Sequence, residues 1–213
     1  PTRRSSDLGS SLTVLPFTAG ELPNYKRIRS YIMDNHFNTP AEVIDLSIKA
    51  CENKTRLPLG KMILLGIMAG AFIAFGGATS STAAHAVENV GVARALAGCI
   101  FPVGLMLIVF LGGELFTGNN MVMAFGAYDK QVSWKEAGKV WGVSYLGNFV
   151  GCAILALLFV WAGASGTADY FAGFIGNKLS VPLGQMFFRA VLCNFFVCLA
   201  VLCGIKLKSE SGK

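Results

Sequence analysis

Charged side chains are scarce in this sequence. They make up 14% of its 213 residues, whereas a soluble domain carries about 25%. Together with 54% hydrophobic residues and a mean hydropathy of +0.56, this points to lipid as the solvent. Histidine is rarer still: only His36 and His85 occur. A membrane haem or redox subunit needs paired ligands at mid-membrane, and no such His or Cys pair is present. The cysteines Cys51, Cys99, Cys152, Cys193, Cys198 and Cys203 form no CxxC motif, and all but one lie inside apolar runs. They read as small buried hydrophobes, with no disulfide and no metal role. The absence of an Asn-Pro-Ala half-helix cap argues against a water or glycerol channel. No Ser/His/Asp cluster, phosphate loop or metal-ligand spacing supports an enzyme or a cofactor. The net charge of +6 comes from basic residues at the ends of apolar segments. They form no stripe, so nucleic acid is not an expected partner. No apolar stretch near the start makes a signal peptide.

Four regions follow. Residues 1–32 read as a non-native or disordered leader. PTRRSSDL (1–8) is what a common sequencing-library adapter spells in frame, with Met33 as the candidate true start. Residues 33–56 hold an amphipathic helix, NTPAEVIDLSIKACENK, expected on the cytoplasmic membrane surface. Thr39 and Glu42 make a capping box, and Pro40 suits the first helical position. Residues 57–208 form the membrane domain, and 209–213 a cytoplasmic end.

Apolar spans are predicted at about 60–84, 92–112, 138–162 and 184–205, each long enough for a hydrocarbon core of about 30 Å. Lys49, Lys54, Arg56, Lys61, Lys130, Lys135, Lys139, Lys206, Lys208 and Lys213 flank one side of these spans. The opposite loops carry only Arg94 and Lys178. By the positive-inside rule both chain ends are cytoplasmic and the number of crossings is even. Gly66, Gly70, Gly76 and Gly77 in the first span, and Gly142, Gly147 and Gly151 in the third, predict close helix packing.

The second span is interrupted by GGELFTGNN. The run after it, 121–128, is too short to cross alone. One interrupted crossing is therefore expected: a half-helix, an irregular loop, and a second half-helix capped by Thr117 or Asn119. Irregular backbone survives at membrane depth only where protein or water covers it, and such breaks line substrate sites in transport proteins. Glu114 is expected near mid-membrane, where a carboxylate costs roughly 2.5–3.5 kcal/mol. It either ties the loop together by hydrogen bonds or meets the solute directly.

LGGELFTG (111–118) closely resembles the first signature of the formate/nitrite transporter family, and AVLCNFFVCLA (190–200) its second. The resemblance runs over about 39–208. It implies an all-α membrane protein: an aquaporin-like helical bundle with a broken second transmembrane helix, four of the six family spans being present. It also implies a homopentamer, each protomer with its own pore for small monovalent anions, in contact with membrane lipid in a bacterial inner membrane. The family's inner constriction falls on Leu105, with Phe101 one turn earlier on the same helix face. Leu115, Phe116 and Thr117 fall on the loop that narrows the pore from the outer side. The family's pore lysine falls on Lys178, an expected attractor of anions, and its signature asparagine on Asn194. Read from the residues without the resemblance, Asn194 is an interhelical hydrogen-bond partner, Lys178 a surface lysine, and Arg189 an end-of-helix anchor. The implied solute is formate or nitrite, with hydrosulfide an alternative, and passage is coupled to protonation.

The sequence also departs from the family. The fifth and sixth spans, and the chamber histidine of relatives, have no counterpart before Lys213. The expectation is an incomplete fragment of a channel that forms no closed pore alone. A purely structural membrane protein also fits the composition, but it gives no reason for GGELFTGNN or for a lone lysine on the far side.

Overall fold

The computed structural model describes residues 36–163 and 165–209. The expectations for 1–32, for Met33 and for the chain end after 209 lie outside the described residues. The chain folds as α1 (Pro40–Thr55), α2 (Leu59–Ala84), α3 (Val90–Ile100), α4 (Val103–Leu111), α5 (Phe116–Tyr128), α6 (Trp134–Trp161), α7 (Ala168–Leu179) and α8 (Leu183–Lys206), with a short 3-10 turn at Ser165–Thr167. Among the described residues, four segments are long and apolar enough to cross a membrane: Leu59–Ala84, Val90–Leu111, Trp134–Trp161 and Leu183–Lys206. They match the expected spans, and the molecule is an all-α membrane bundle.

The expected capping box starts α1. The Thr39 hydroxyl accepts from the Glu42 N–H at 3.3 Å, and the Thr39 N–H donates to Glu42 Oε2 at 2.6 Å. The helix buries a narrow stripe of Val43, Ser47 and Cys51 and leaves Ile44 and Leu46 exposed. The stripe packs on α5. There Gly126 leaves room for the Cys51 thiol, which a Cβ would strike. Burial pushes the Cys51 thiol pKa up.

Glycines set the central crossing of α2 and α6. A Cβ on Gly66 would meet the Gly147 backbone at 3.3 Å. One on Gly70 would fall inside the backbone of Asn148, and one on Gly151 inside that of Ile67. Gly76 and Gly104 do the same where α2 meets the α3–α4 junction. Lipid does not drive helices together, so this close approach is what packs them. Two of the expected packing glycines differ. A Cβ on Gly77 or Gly142 would meet nothing within 4 Å.

The packed core lies at one end of the bundle. Cys51, Met62, Val122, Met123, Ala127, Val132, Ala137 and Val140 cluster there. At this end the start of the described chain clips onto the end of α8. The Asn38 N–H donates to the Lys206 carbonyl at 2.8 Å, and the Lys208 N–H to the His36 carbonyl at 3.0 Å. The Asn38 side chain adds a bond to the Ile205 carbonyl at 2.7 Å, and Lys206 Nζ donates to the Asn38 carbonyl. The chain thus returns to the end it left, as an even number of crossings requires. Lys54, Lys61, Lys130 and Lys206 gather here, so it is called the basic end below.

Candidate functional site

The interrupted crossing is present, with a tighter break than the sequence indicated. Gly112 ends α4 at φ +84°, a conformation open to glycine and strained for other residues. Irregular backbone covers only 112–115, and α5 begins at Phe116. The expected cap by Thr117 or Asn119 does not form, because both already lie inside the helix. The N-cap position is Leu115, whose side chain has no acceptor to offer.

The missing acceptor comes from another helix. Asn148 Oδ1, on α6, accepts the Phe116 N–H at 2.8 Å. Its amide nitrogen donates to the Gly66 carbonyl of α2 and to the Glu114 carbonyl, each at 2.8 Å. The Glu114 N–H donates to the Leu65 carbonyl at 3.1 Å. Protein groups thus take up the backbone that the break frees, as a low-dielectric setting demands. Asn148 is absent from the expected site residues. Its signal was an amide in the middle of an apolar 28-residue helix, where a polar side chain is kept only for a partner.

Glu114 is 6% exposed. Its Oε2 receives Lys54 Nζ at 2.6 Å and Asn119 Nδ2 at 2.9 Å. The carboxylate therefore ties the break to α1 and to the first turn of α5, which is the first of its two expected roles. Trp141 Nε1 extends the network, donating to the Asn119 carbonyl at 3.1 Å. The break meets the two long helices at different heights. Leu65 lies about 9 Å from the start of α2, a helix roughly 39 Å long at 1.5 Å per residue. On α6 its partner Asn148 lies about 21 Å from the start of a helix roughly 42 Å long at 1.5 Å per residue.

The two signature segments meet at α5 and α8. Asn120 Nδ2 donates to Asn194 Oδ1 at 3.3 Å. Asn194 in turn donates to Cys198 Sγ at 3.4 Å, and the Cys198 thiol lies 3.5 Å from the Thr117 carbonyl. Phe116 packs edge-on against Tyr145, with ring centroids 5.3 Å apart. The structure thus brings Glu114, Leu115, Phe116, Thr117 and Asn194 to one region.

Phe101, Leu105 and Lys178 lie elsewhere. Phe101 and Leu105 do not share one continuous helix, since the chain turns at Phe101 and Pro102 between α3 and α4. Proline has no N–H to continue the helix. Their height along the bundle also differs from that of the break. Gly104 packs on Phe72 and Ile73, farther from the basic end than Leu65 beside Glu114. Leu105 therefore lies farther from the basic end than 115–117, because α4 runs antiparallel to α2. Lys178 sits at the far end, its ammonium 4.6 Å from the Phe174 ring centroid. It lines a cavity of about 720 Å³ together with His85, Arg94, Asp169 and Arg189. Arg189, expected only as an anchor, therefore joins Lys178 and Arg94 around a positively charged cavity.

Comparison with known proteins agrees with this architecture. The family model "Formate/nitrite transporter" matches residues 41–213. A probable formate transporter of Methanothermobacter thermautotrophicus is 36% identical over 203 residues, covering 85% of this chain and 74% of the relative. Among solved structures, an FNT family ion channel superposes with a TM-score of 0.70 at 28% identity, over 76% of this chain and 67% of that one. A pentameric formate channel with formate bound gives 0.63 at 30% identity, over 73% and 63%. With both signature segments in contact at a broken second crossing, the chain belongs to the formate/nitrite transporter family.

Proposed function

We propose that the protein passes a small monovalent anion, formate or nitrite, across a bacterial inner membrane through a pore in each protomer of a homopentamer, with the basic end in the cytoplasm. The observation that carries this reading is the meeting of the break with Asn194 and Cys198 of α8. Two polar segments distant in sequence line one region inside an apolar bundle, a costly arrangement unless something polar passes there. The similar pentameric channel with formate bound supports the solute and the assembly.

Each residue has a role in this mechanism. Lys178, with Arg94 and Arg189 around the same cavity, raises the local anion concentration at the far mouth. Phe101 and Leu105, then Leu115 and Phe116, are apolar and demand that the solute shed its water. A bare anion pays heavily for that, whereas its neutral conjugate acid does not. The anion takes a proton from water at one mouth, crosses as the acid, and returns the proton at the other. The Thr117 hydroxyl and the Asn194 amide supply hydrogen bonds between the two constrictions. Glu114 holds the break in shape from its pair with Lys54.

The test is uptake of formate and of nitrite by proteoliposomes of the intact protein, with the internal pH followed. Uptake should be faster at mildly acidic external pH, and Lys178→Met should slow it several-fold. Uptake unchanged in Lys178→Met would remove the lysine from the mechanism. No uptake of either anion by the unaltered protein would overturn the reading itself.

A further inference from the structure

The contact between the two signature segments is a closed ring of hydrogen bonds. Thr117 and Asn120 lie three residues apart on α5, and Asn194 and Cys198 four apart on α8, so each pair shares a helix face. Asn120 Nδ2 donates to Asn194 Oδ1 at 3.3 Å and Asn194 Nδ2 to Cys198 Sγ at 3.4 Å. The Cys198 thiol closes the ring on the Thr117 carbonyl at 3.5 Å. That carbonyl sets the direction of every bond. It can only accept, so the thiol donates to it, and the sulfur is left to accept from Asn194. The Asn194 amide therefore turns its N–H toward Cys198 and its oxygen toward Asn120, and Asn120 answers with an N–H. A reversed Asn194 amide would cost the ring a bond, because one thiol proton cannot serve both the Thr117 carbonyl and an amide oxygen.

The ring carries no charge. Glu114 and Lys54, the ion pair at the same break, bond each other and Asn119. Thr117, Asn120, Asn194 and Cys198 are each half-buried, so none is sealed from a solute. The joint between Asn120 and Asn194, at 3.3 Å, is longer than the usual N–H···O distance of about 2.9 Å. Opened by rotation of one side chain, it leaves a donor on Asn120 facing an acceptor on Asn194. Formic acid and nitrous acid carry the matching pair, an oxygen that accepts beside a hydroxyl that donates. Formate and nitrite carry acceptors only, and either would set a charged oxygen against Asn194 Oδ1, an unpaired contact that discriminates against it. We infer that the Asn120–Asn194 joint recognises the solute as its neutral conjugate acid, inserted between the two amides, and that Cys198 is the positioning residue that holds Asn194 in the orientation this requires. This deepens the proposed passage and rests on it, naming the species that the polar region accepts.

The experiment uses the intact protein in proteoliposomes, with formate uptake and the charge moved per formate followed together across external pH. The unaltered protein should take up formate in proportion to the formic acid present, with no net charge moved. Cys198→Val removes the thiol proton and frees Asn194 to turn its N–H to the joint, where two donors then suit the anion. Uptake by this variant should lose most of its pH dependence and become electrogenic. Cys198→Ser keeps a donor and an acceptor and should restore both the pH dependence and the electroneutrality. Asn120→Ala should lower uptake about fivefold at every pH, the worth of one hydrogen bond, and keep it electroneutral. A merely structural role for Cys198 would slow the Val variant and leave its pH profile and its charge per formate alone. That result overturns the inference, as does a Ser variant that behaves like Val. Formamide gives a second test that survives a Val variant unable to fold. It carries the same adjacent donor and acceptor as formic acid and does not ionise near neutral pH. It should bind the unaltered protein in saturation-transfer NMR, compete with formate uptake, and lose its binding in Asn120→Ala. No binding by the unaltered protein, or equal binding by the variant, overturns the joint. An unaltered protein that takes up neither anion would overturn the proposed passage, and formamide binding would still decide the joint.

Discussion

Asn148 is the sharpest place to test how the broken crossing is held. Its side chain makes three hydrogen bonds at 2.8 Å, one accepted from Phe116 and two donated to Gly66 and Glu114. Asn148→Ala removes all three, at about 1 kcal/mol each. It also strands the Phe116 N–H in a region where little water can replace the amide. A loss of about 3 kcal/mol is expected, or a fall in Tm of about 6–12 °C at the 2–4 °C per kcal/mol usual for this chain length. Asn148→Asp divides the roles. The carboxylate still accepts the Phe116 N–H, and a negative group at a helix N-terminus is favourable. Yet it donates nothing, and it would face two carbonyl oxygens. If donation to the Gly66 and Glu114 carbonyls matters, Asp should be at least as damaging as Ala. The assay is tryptophan-fluorescence unfolding in detergent, paired with anion uptake by proteoliposomes. An Asp variant as stable and active as the unaltered protein would show that the helix cap alone is needed. An Ala variant within about 2 °C of it would refute the claim that Asn148 holds the break.

Removing one partner of the buried Lys54–Glu114 pair should be costly. Lys54→Met leaves the carboxylate uncompensated and should destabilise by about 3 kcal/mol. Glu114→Gln should cost less, and the double variant should be more stable than additivity gives; additive losses in chemical unfolding would refute the pairing. Gly151→Val should lose about 3 kcal/mol by forcing the α2–α6 crossing apart, since a Cβ there runs into Ile67. Gly142→Ala, on an open face, should be neutral or gain up to about 1 kcal/mol in the same unfolding assay. Acid should loosen α1. The Thr39 N–H and hydroxyl hold the Glu42 pKa below its ordinary 4.5. As pH falls, the unfolded chain therefore takes up this proton first. The stabilisation from the box is complete above the ordinary value and is lost as pH falls through the folded one. Protection factors in α1, corrected for the intrinsic pH dependence of amide exchange, should fall as pH drops below the ordinary carboxylate range, and Glu42→Gln should abolish that dependence; an unchanged pH profile in the variant would assign the effect elsewhere.

The elements that were legible in the sequence are those written in composition and local chemistry. The four spans follow from hydropathy, the start of α1 from Thr39, Pro40 and Glu42, and the interrupted crossing from a run of glycines and polar residues too long for lipid. Crossing parity was legible because lysines mark one side. What escaped depends on neighbours that no local pattern names. The cap of α5 was sought in Thr117 and Asn119, the nearest residues with acceptors, but a helix on another segment supplies it. The kink at Pro102 was hidden inside a uniformly apolar run. The order of Leu105 and Phe116 along the bundle needed the antiparallel packing of α4 on α2, which sequence spacing does not contain. Gly77 looked like a packing glycine because it adjoins Gly76, yet α3 and α4 approach only the Gly76 face. In each case the residue type was right for a membrane helix, and the partner decided its role. The same holds for Glu114. A carboxylate in an apolar span could serve the solute or the scaffold, and it is the reach of Lys54 from α1 that ties it to the scaffold. A solute contact would then use Oε1, the oxygen that neither Lys54 nor Asn119 engages. Replacing Lys54 should thus disturb the shape of the break, and with it passage, even though the lysine side chain belongs to a helix that does not span.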